Sequence, residues 1–315
     1  MGNAPKQAGA NETDAGQDSR HLDEREQTQA AEHAAPQAIV IHEVVREEGE
    51  LELRRRNAAL LWSGLAAGLS MGFSLLTLAF LQSGLPDEPW RRLLDSSGYC
   101  VGFVITILGR QQLFTESTLT AVLPLMVRRD LATLLSLLRM WGIVLAANLI
   151  GTIVFAALIS PEHLFSGPVR YALIETGQDI LSGPTGFKIL KAILAGWLIA
   201  TMVWLLPSAR SARLLVIVML TYVVAVARLP HVIAGSVEAA FAVISGHADI
   251  ADYVFHFLLP TLLGNTIGGV ALVAFLNHAP LAPELQEDAE EHSEQEAKPQ
   301  KLRQSGKAKS RRERK

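Results

Sequence analysis

Long apolar runs alternate with short charged segments over most of the chain. Six runs, each long enough to cross the roughly 30 Å hydrocarbon core of a bilayer, lie at about 57–82, 98–127, 131–159, 188–206, 213–246 and 253–278. Polar residues interrupt the second and the fifth of these runs. The pattern predicts an all-α polytopic membrane protein with six transmembrane helices, of which the second and the fifth are broken.

The first interruption is the segment 109–118, GRQQLFTEST, which carries Arg110 and Glu116 between two apolar flanks. Each flank supplies only about half of the roughly 20 residues that a spanning helix needs. The two flanks therefore form one span with a break near its middle. Irregular backbone at that depth is tolerated only where protein buries it or where it lines a water-filled cavity, so the break is a candidate functional site.

The second interruption, within 227–244, places His231 and Glu238 in an apolar run. Pro230 lacks a backbone N–H and clashes with the preceding turn, so we expect the incoming helix to end there. Ser236 is a candidate N-cap for the helix that restarts after the break. Three hydroxyl residues are candidates for the same part at the first break: Thr115, Ser117 and Thr118. Two restarted helices would direct the positive ends of their dipoles at the membrane centre, which favours a small anion there.

A short motif suggests that the two breaks belong to one repeat. The pattern N-x-I-G occurs at Asn148 and again at Asn265, 117 positions later. The same offset takes Phe114 of the first break to His231 of the second. The first three spans and the last three therefore resemble two copies of one unit, and because three is odd the copies insert in opposite senses. An inverted 3+3 repeat is the predicted architecture.

Charge is concentrated at the two ends of the chain, and the net charge of −3 averages over parts that do not meet. Residues 1–38 have almost no large apolar side chains and predict a disordered tail. Residues 39–56 alternate apolar and charged positions, as in an amphipathic helix at the membrane interface. The channel domain is expected at 57–280, followed by a charged tail at 281–315.

Arginines and acids collect on opposite sides of the predicted spans. Basic connections are expected to face the cytoplasm, which places both termini there. The loops on the other side, which we expect to be external, are 83–95, 160–186 and 247–252.

Four motifs occur in order between about 55 and 280: LFTEST, NLIG, HVIAGS and GNTIGG. With them the chain resembles the formate/nitrite transporter family, above all its YfdC-like inner-membrane branch. The resemblance implies an aquaporin-like protomer, assembled as a homopentamer in the bacterial inner membrane with one pore per protomer. It implies neither an organic cofactor nor a nucleic-acid partner.

The resemblance also implies roles for particular residues. In the family a threonine of the first break and a histidine of the second face each other at the pore centre, and asparagines of the third and sixth spans hold the broken loops. Asn148 and Asn265 match those asparagines. The positions that match the pore residues are Thr115, with Phe114 beside it, and His231 at the centre, and Lys188 or Lys191 near the outer mouth.

Three charges depart from the family pattern, which has small neutral or amide residues at these places: Arg110, Glu116 and Glu238. An unpaired charge at the bilayer centre costs about 2.5–3.5 kcal/mol or more. We therefore expect Arg110 to be neutralised by Glu116 or Glu238. The three residues are then either a structural clamp between the breaks or a selectivity element.

His231 is the candidate for proton handling. An imidazole with an ordinary pKa of about 6.5 can lend a proton to a weak-acid anion, which then avoids crossing apolar gates as a bare charge. The alternative is a core histidine bonded to a neighbouring carbonyl.

Taken together, these features predict a channel-type transporter for small monovalent weak-acid anions and not an enzyme. Two other functions stay open, a channel for a small neutral solute and a non-conducting scaffold or sensor. The histidines have no metal-ligand spacing, so no metal site is predicted.

Overall fold

The computed structural model describes residues 21–33 and 36–274, and all the regular elements in this part of the chain are helices. The α-helices are α1 Glu24–His33, α2 Ala38–Leu53, α3 Asn57–Gly84, α4 Arg91–Leu108, α5 Phe114–Thr120, α6 Val122–Arg128, α7 Leu131–Ile159, α8 Gly167–Leu181, α9 Thr185–Ala209, α10 Arg213–Val226, α11 Val232–Ile244 and α12 Leu259–Ile267. A 3-10 turn, Arg210–Ala212, joins α9 to α10. Two π-helical segments, Asp252–Leu258 and Gly268–Ala274, flank α12.

Four helical stretches in the described residues are long and apolar enough to cross a membrane: Asn57–Gly84, Leu131–Ile159, Thr185–Val226 and Asp252–Ala271. The third of them runs through α9 and α10. The α11 helix is equally apolar but too short to cross alone. An all-helical, multi-pass membrane protein follows from these lengths.

Helices α3 and α7 approach each other closely because glycines face each other across their contact. A Cβ atom added to Gly68 would lie 2.2 Å from the carbonyl oxygen of Asn148, and one added to Gly151 would lie 2.6 Å from that of Leu65. The pair α9 and α12 repeats this arrangement, since a Cβ on Gly196 would lie 2.2 Å from the carbonyl oxygen of Asn265. Small residues let the helix backbones meet, and this places both asparagines beside the breaks.

At the first break, α4 ends at Leu108 and α5 begins at Phe114. The chain turns at Arg110, whose φ is 53°. The amide of Asn148 connects the two sides of the turn. Its Oδ1 accepts from the Phe114 N–H at 2.9 Å, and its Nδ2 donates to the carbonyl oxygen of Gln112 at 2.9 Å. A third bond runs from Nδ2 to the Gly64 carbonyl on α3, so the broken loop is tied to two intact helices.

The second break has the same construction. Helix α10 ends at Val226, the chain turns at Arg228 with φ 48°, and α11 begins at Val232. Asn265 accepts from the Val232 N–H at 2.8 Å and donates to the carbonyl oxygens of Pro230 and Ala192. Each asparagine therefore makes the same three bonds, and Phe114 corresponds to Val232. The offset between the breaks is one residue longer than the predicted pairing of Phe114 with His231.

The predicted caps of the restarted helices are wrong. Helix α11 begins before Ser236, and His231 is its N-cap, with Nδ1 accepting from the Ala234 N–H at 3.2 Å. At α5 the N-cap position is Leu113, which makes no side-chain cap bond. The reason is that asparagines from other helices satisfy the first free N–H groups, so hydroxyl residues inside the helices are not needed as caps.

The N-terminal segment differs in part from its prediction. Residues 24–33 lie within the expected disordered tail, 1–38, but form α1. The Asp23 carboxylate starts this helix by accepting from the N–H groups of Arg25 and Glu26 at 2.8 and 2.9 Å. Residues 1–20 and 34–35 of that tail, and the predicted C-terminal tail, 281–315, lie outside the described residues.

Helix α7 provides a matched pair of glycines to test the close packing. Gly151→Ala should destabilise the protein by about 1–3 kcal/mol, because the new methyl group has no room beside α3. Gly142→Ala is the control, since a Cβ there meets nothing within 4 Å. The measurement is the melting temperature and the yield of monodisperse protein in detergent. Equal values for the two variants would contradict the packing argument.

Candidate functional site

The centre of the candidate site is a contact between the two breaks. The Oγ1 of Thr115, on the first turn of α5, lies 2.7 Å from Nε2 of His231, which caps α11. Each residue has only 1% of its surface exposed. A hydroxyl and an imidazole thus meet in a buried position where two helices begin.

The surroundings of His231 orient its ring. Because Nδ1 accepts from the Ala234 N–H, the neutral ring carries its hydrogen on Nε2 and donates it to Thr115. The Phe103 ring packs edge-on against the imidazole, with ring centroids 5.0 Å apart. The predicted neighbour Phe114 is also buried, but it packs against Trp141 of α7 at 5.7 Å. The aromatic ring that packs against His231 is therefore that of Phe103, which sequence reasoning did not single out.

A cavity of about 400 Å³ extends from His231 to the loops around Glu88 and Gly183. It brings together several predicted site residues, since Glu238, Lys188 and Lys191 also line it. Its lining contains six acids and five bases besides His231. These are Asp87, Glu88, Asp95, Glu175, Asp179 and Glu238, and Arg91, Arg92, Lys188, Lys191 and Arg228. The lining is nearly balanced in charge and does not form a purely positive funnel.

The two candidate lysines occupy different environments. Lys188 is buried on the first turn of α9 and donates through Nζ to the carbonyl oxygen of Leu181 at 3.0 Å. Lys191 lies one turn further along and is exposed to the cavity. Lys191 is therefore the one with a side chain available to a ligand.

The expected pairing of Arg110 with Glu116 or Glu238 is wrong. The guanidinium of Arg110 lies 3.1 Å from the Glu48 carboxylate of α2, and the Arg110 side chain is 73% exposed. Helix α2 brings an acid to the turn, so Arg110 needs no partner from the breaks. Because the pair is exposed, its contribution to stability is only about 0–1 kcal/mol.

The second break has an equivalent pair. Arg228 lies 3.0 Å from Asp179 of α8, a helix that lies within the predicted loop 160–186. At each break an arginine in the left-handed conformation thus reaches an acid on a neighbouring helix. The two acids, Glu48 and Asp179, were missed by sequence reasoning.

Glu116 lies away from the cavity, near acids of α2. It is half-buried, and its electrostatic neighbours are Glu48, Glu52 and, without an ion pair, Arg110. Glu52 accepts a hydrogen bond from the Thr120 hydroxyl at 2.6 Å. Burial raises the pKa of the Glu52 carboxyl, although this hydrogen bond opposes the shift. Glu48 and Glu52 are four residues apart on one helix, a spacing that could have identified this acidic face.

Several known proteins are similar to this chain. It is 40% identical over 260 residues to the "Inner membrane protein YfdC" of Escherichia coli, a match that covers 82% of this chain and 84% of that protein. It is 23% identical over 241 residues to the "Formate channel FocA" of Haemophilus influenzae, covering 67% of this chain and 82% of that channel.

Solved structures share the fold. One described as a "Pentameric formate channel with formate bound" superposes with a TM-score of 0.62 at 19% identity, covering 70% of this chain and 95% of that channel. The sequence model "Formate/nitrite transporter" matches residues 39–279, which is most of the chain. The protein belongs to the formate/nitrite transporter family.

Proposed function

We propose that this protein is a channel-type transporter for small monovalent anions of weak acids, with His231 exchanging a proton with the passing substrate. The observation that carries the proposal is the buried contact between Thr115 and His231. Within residues 21–33 and 36–274 it is the one hydrogen-bonded pair that joins both breaks, and its His231 lines the cavity. The formate channels among the relatives support a small anion as the substrate class.

The chemistry of the pair suits a weak acid. An imidazole that has taken up a proton from water can pass it to a carboxylate oxygen, and the neutral acid then crosses the apolar surroundings of Phe103. The Thr115 hydroxyl can donate to or accept from the substrate while the proton moves. No cofactor takes part in this exchange, and no covalent bond of the substrate other than O–H changes. The proposed activity is transport and not catalysis.

The proposed protomer has six spans in an inverted repeat. The broken spans are α4 with α5 and α6, and α10 with α11, and the intact ones are α3, α7, α9 and the α12 segment. The three equivalent bonds made by Asn148 and Asn265 support this repeat. The pentameric channel with the same fold supports a homopentamer with one pore per protomer. The likeness to an inner-membrane protein supports that location, with both termini in the cytoplasm by the positive-inside rule.

A channel for a small neutral solute is the second candidate. The cavity favours it in one respect, because its acids and bases nearly balance and provide little net attraction for an anion. Flux measurements separate it from the first candidate.

Proteoliposomes containing the protein should carry formate, acetate or nitrite, and the flux should rise as the external pH falls. Protons become more available to the anion at low pH, whereas a neutral solute gains nothing. Stopped-flow light scattering measures the flux of a panel of anions and, for comparison, the flux of glycerol and urea as neutral solutes. Flux of the neutral solutes alone would favour the second candidate, and no flux of any solute would favour the scaffold or sensor.

The proposed topology predicts which sites are accessible from outside. Starting from a variant without the buried Cys100, a cysteine at Glu175 should react with an impermeant maleimide added to intact cells. A cysteine at Arg210 should react only after the cells are opened. The opposite labelling pattern would show that the protein has the reverse orientation in the membrane.

His231→Asn should leave the assembly intact, because asparagine can accept the helix N–H and still bond Thr115. Flux should lose the part of its pH dependence that comes from proton exchange at this position, since an amide does not take up the proton. The measurement is flux against pH in liposomes, with the size of the oligomer checked in detergent. The exposed His163→Asn is the control and should keep the wild-type profile. An unchanged profile of flux against pH in an intact His231→Asn oligomer would refute the proton-exchange role.

A further inference from the structure

Two buried polar side chains line the cavity without a partner in the protein. Glu238 of α11 and Tyr99 of α4 each have 6% of their surface exposed. Both line the cavity, and within residues 21–33 and 36–274 no hydrogen bond ends on the Glu238 carboxyl or on the Tyr99 hydroxyl. The carboxyl is also an electrostatic neighbour of Tyr99. Because buried polar groups are nearly always hydrogen-bonded, two such groups beside one cavity indicate a place for a ligand.

The two side chains lie on the approach to His231. On α11, Gly235 and Glu238 follow His231 by four and seven residues, so the three share one face of the helix, and all of them line the cavity. On α4, the Tyr99 ring packs against Phe103 with ring centroids 5.3 Å apart, and Phe103 in turn packs against His231. Tyr99 and Glu238 are therefore each one step further from the pore centre than the groups that contact His231.

The surroundings of Glu238 favour its neutral form. Its carboxyl is buried, and the charge that acts on it in the described part of the chain is the Asp179 carboxylate of α8. Burial and a like charge both oppose ionisation. A protonated carboxyl carries an O–H group and can donate a hydrogen bond, as the Tyr99 hydroxyl can.

Three of the five cations that line the cavity have partners of their own. Arg228 is paired with Asp179 at 3.0 Å, and Arg91 is paired with Asp87 at 3.2 Å. Lys188 donates to a backbone carbonyl oxygen. These contacts direct the three charges away from the Glu238 carboxyl.

The other two cations, Arg92 and Lys191, are available to a ligand. Arg92 is half-buried and Lys191 is exposed, and within residues 21–33 and 36–274 neither makes a hydrogen bond or a salt bridge. Neither is among the charges that act on the Glu238 carboxyl. They can attract an anion into the cavity without ionising that carboxyl. The O–H groups of Glu238 and Tyr99 are then the next polar groups on the way to His231.

We propose that Glu238, as a neutral carboxylic acid, and Tyr99 form an anion-binding subsite that donates O–H hydrogen bonds to the oxygens of a small carboxylate before it reaches His231. The inference rests on the proposed function for the class of substrate. A carboxylate has two oxygens that accept hydrogen bonds, and it supplies the partner that both buried O–H groups lack. Burial can keep a carboxylic acid neutral so that it acts as such a donor.

Neutral donors suit a transport path. A solute must bind well enough to enter and weakly enough to leave again. A fixed cation at the same depth would hold an anion more strongly than two neutral O–H groups do. Glu238 keeps its proton in this step, so the exchange of a proton with the substrate stays with His231.

Infrared difference spectroscopy tests the subsite without transport. Sodium formate added to the detergent-solubilised protein should shift the C=O stretching band of a protonated carboxyl, because the Glu238 O–H group gains a hydrogen bond. The shift should be absent in Glu238→Gln, which has no carboxyl at this position. No shift in the wild-type protein, or an equal shift in Glu238→Gln, would overturn the assignment.

The concentration dependence of formate flux into proteoliposomes separates hydrogen-bond donation from packing. Glu238→Leu removes the donor and should raise the half-saturating formate concentration about tenfold. Glu238→Gln should stay within about twofold of the wild type, because its side chain is also uncharged and its amide N–H donates. Tyr99→Phe keeps the ring against Phe103 and should raise the half-saturating concentration about tenfold, since only the O–H group is lost.

Tyr222→Phe is the control, because the Tyr222 hydroxyl already donates to the Leu93 carbonyl oxygen at 2.8 Å. It should keep the wild-type half-saturating concentration. An unchanged value in Glu238→Leu or Tyr99→Phe would overturn the subsite.

Glu238→Gln decides the charge of the carboxyl. A lower half-saturating formate concentration in this variant would show that Glu238 is ionised, and a rise equal to that of Glu238→Leu would show that its amide does not replace the donor. Either result would overturn the subsite. Should the Glu238 variants fail to assemble, Tyr99→Phe and the wild-type infrared shift decide. Wild-type protein that shows the shift but carries no formate would refute the proposed function and leave the subsite standing.

Discussion

Two asparagine amides hold the central structure together. A helix that stops inside a membrane leaves N–H and C=O groups free, and no water is present in the hydrocarbon to satisfy them. Asn148 and Asn265 each supply one acceptor and two donors at these places. Their side chains reach the breaks only because glycine contacts bring the neighbouring helices close. The irregular backbone, the buried Thr115–His231 contact and the cavity all follow from these bonds.

The charged side chains at the two breaks also share one arrangement. Arg110 and Arg228 occupy equivalent turns and reach acids on helices outside the breaks. Neither guanidinium forms a salt bridge with Glu116 or Glu238, the acids of the restarted helices. Glu116 and Glu238 are left without salt bridges in the described part of the chain, one beside α2 and the other in the cavity. The two breaks therefore differ in chemistry although the construction of their backbone repeats.

Much of this arrangement could be predicted from the sequence. The apolar runs located the helices within a few residues, since burial in lipid demands long uninterrupted apolar segments. The interruptions located both breaks, and the N-x-I-G pattern pointed to Asn148 and Asn265. The helix starts and the partner of Arg110 could not be predicted. Both depend on groups far away in the chain, Asn265 for α11 and Glu48 for Arg110, and local capping or charge rules do not include such contacts.

The order of the bonds along the chain has a consequence for biosynthesis. Each break is completed by an asparagine that is synthesised one span later, since Asn148 follows Phe114 by 34 residues and Asn265 follows Val232 by 33. Until Asn265 is made, the Val232 N–H and the Pro230 carbonyl have no intended partner. During this interval the half-helix that starts at His231 must stay in a wet or proteinaceous environment, such as the insertion machinery. Synthesis of the last described span therefore completes the second break.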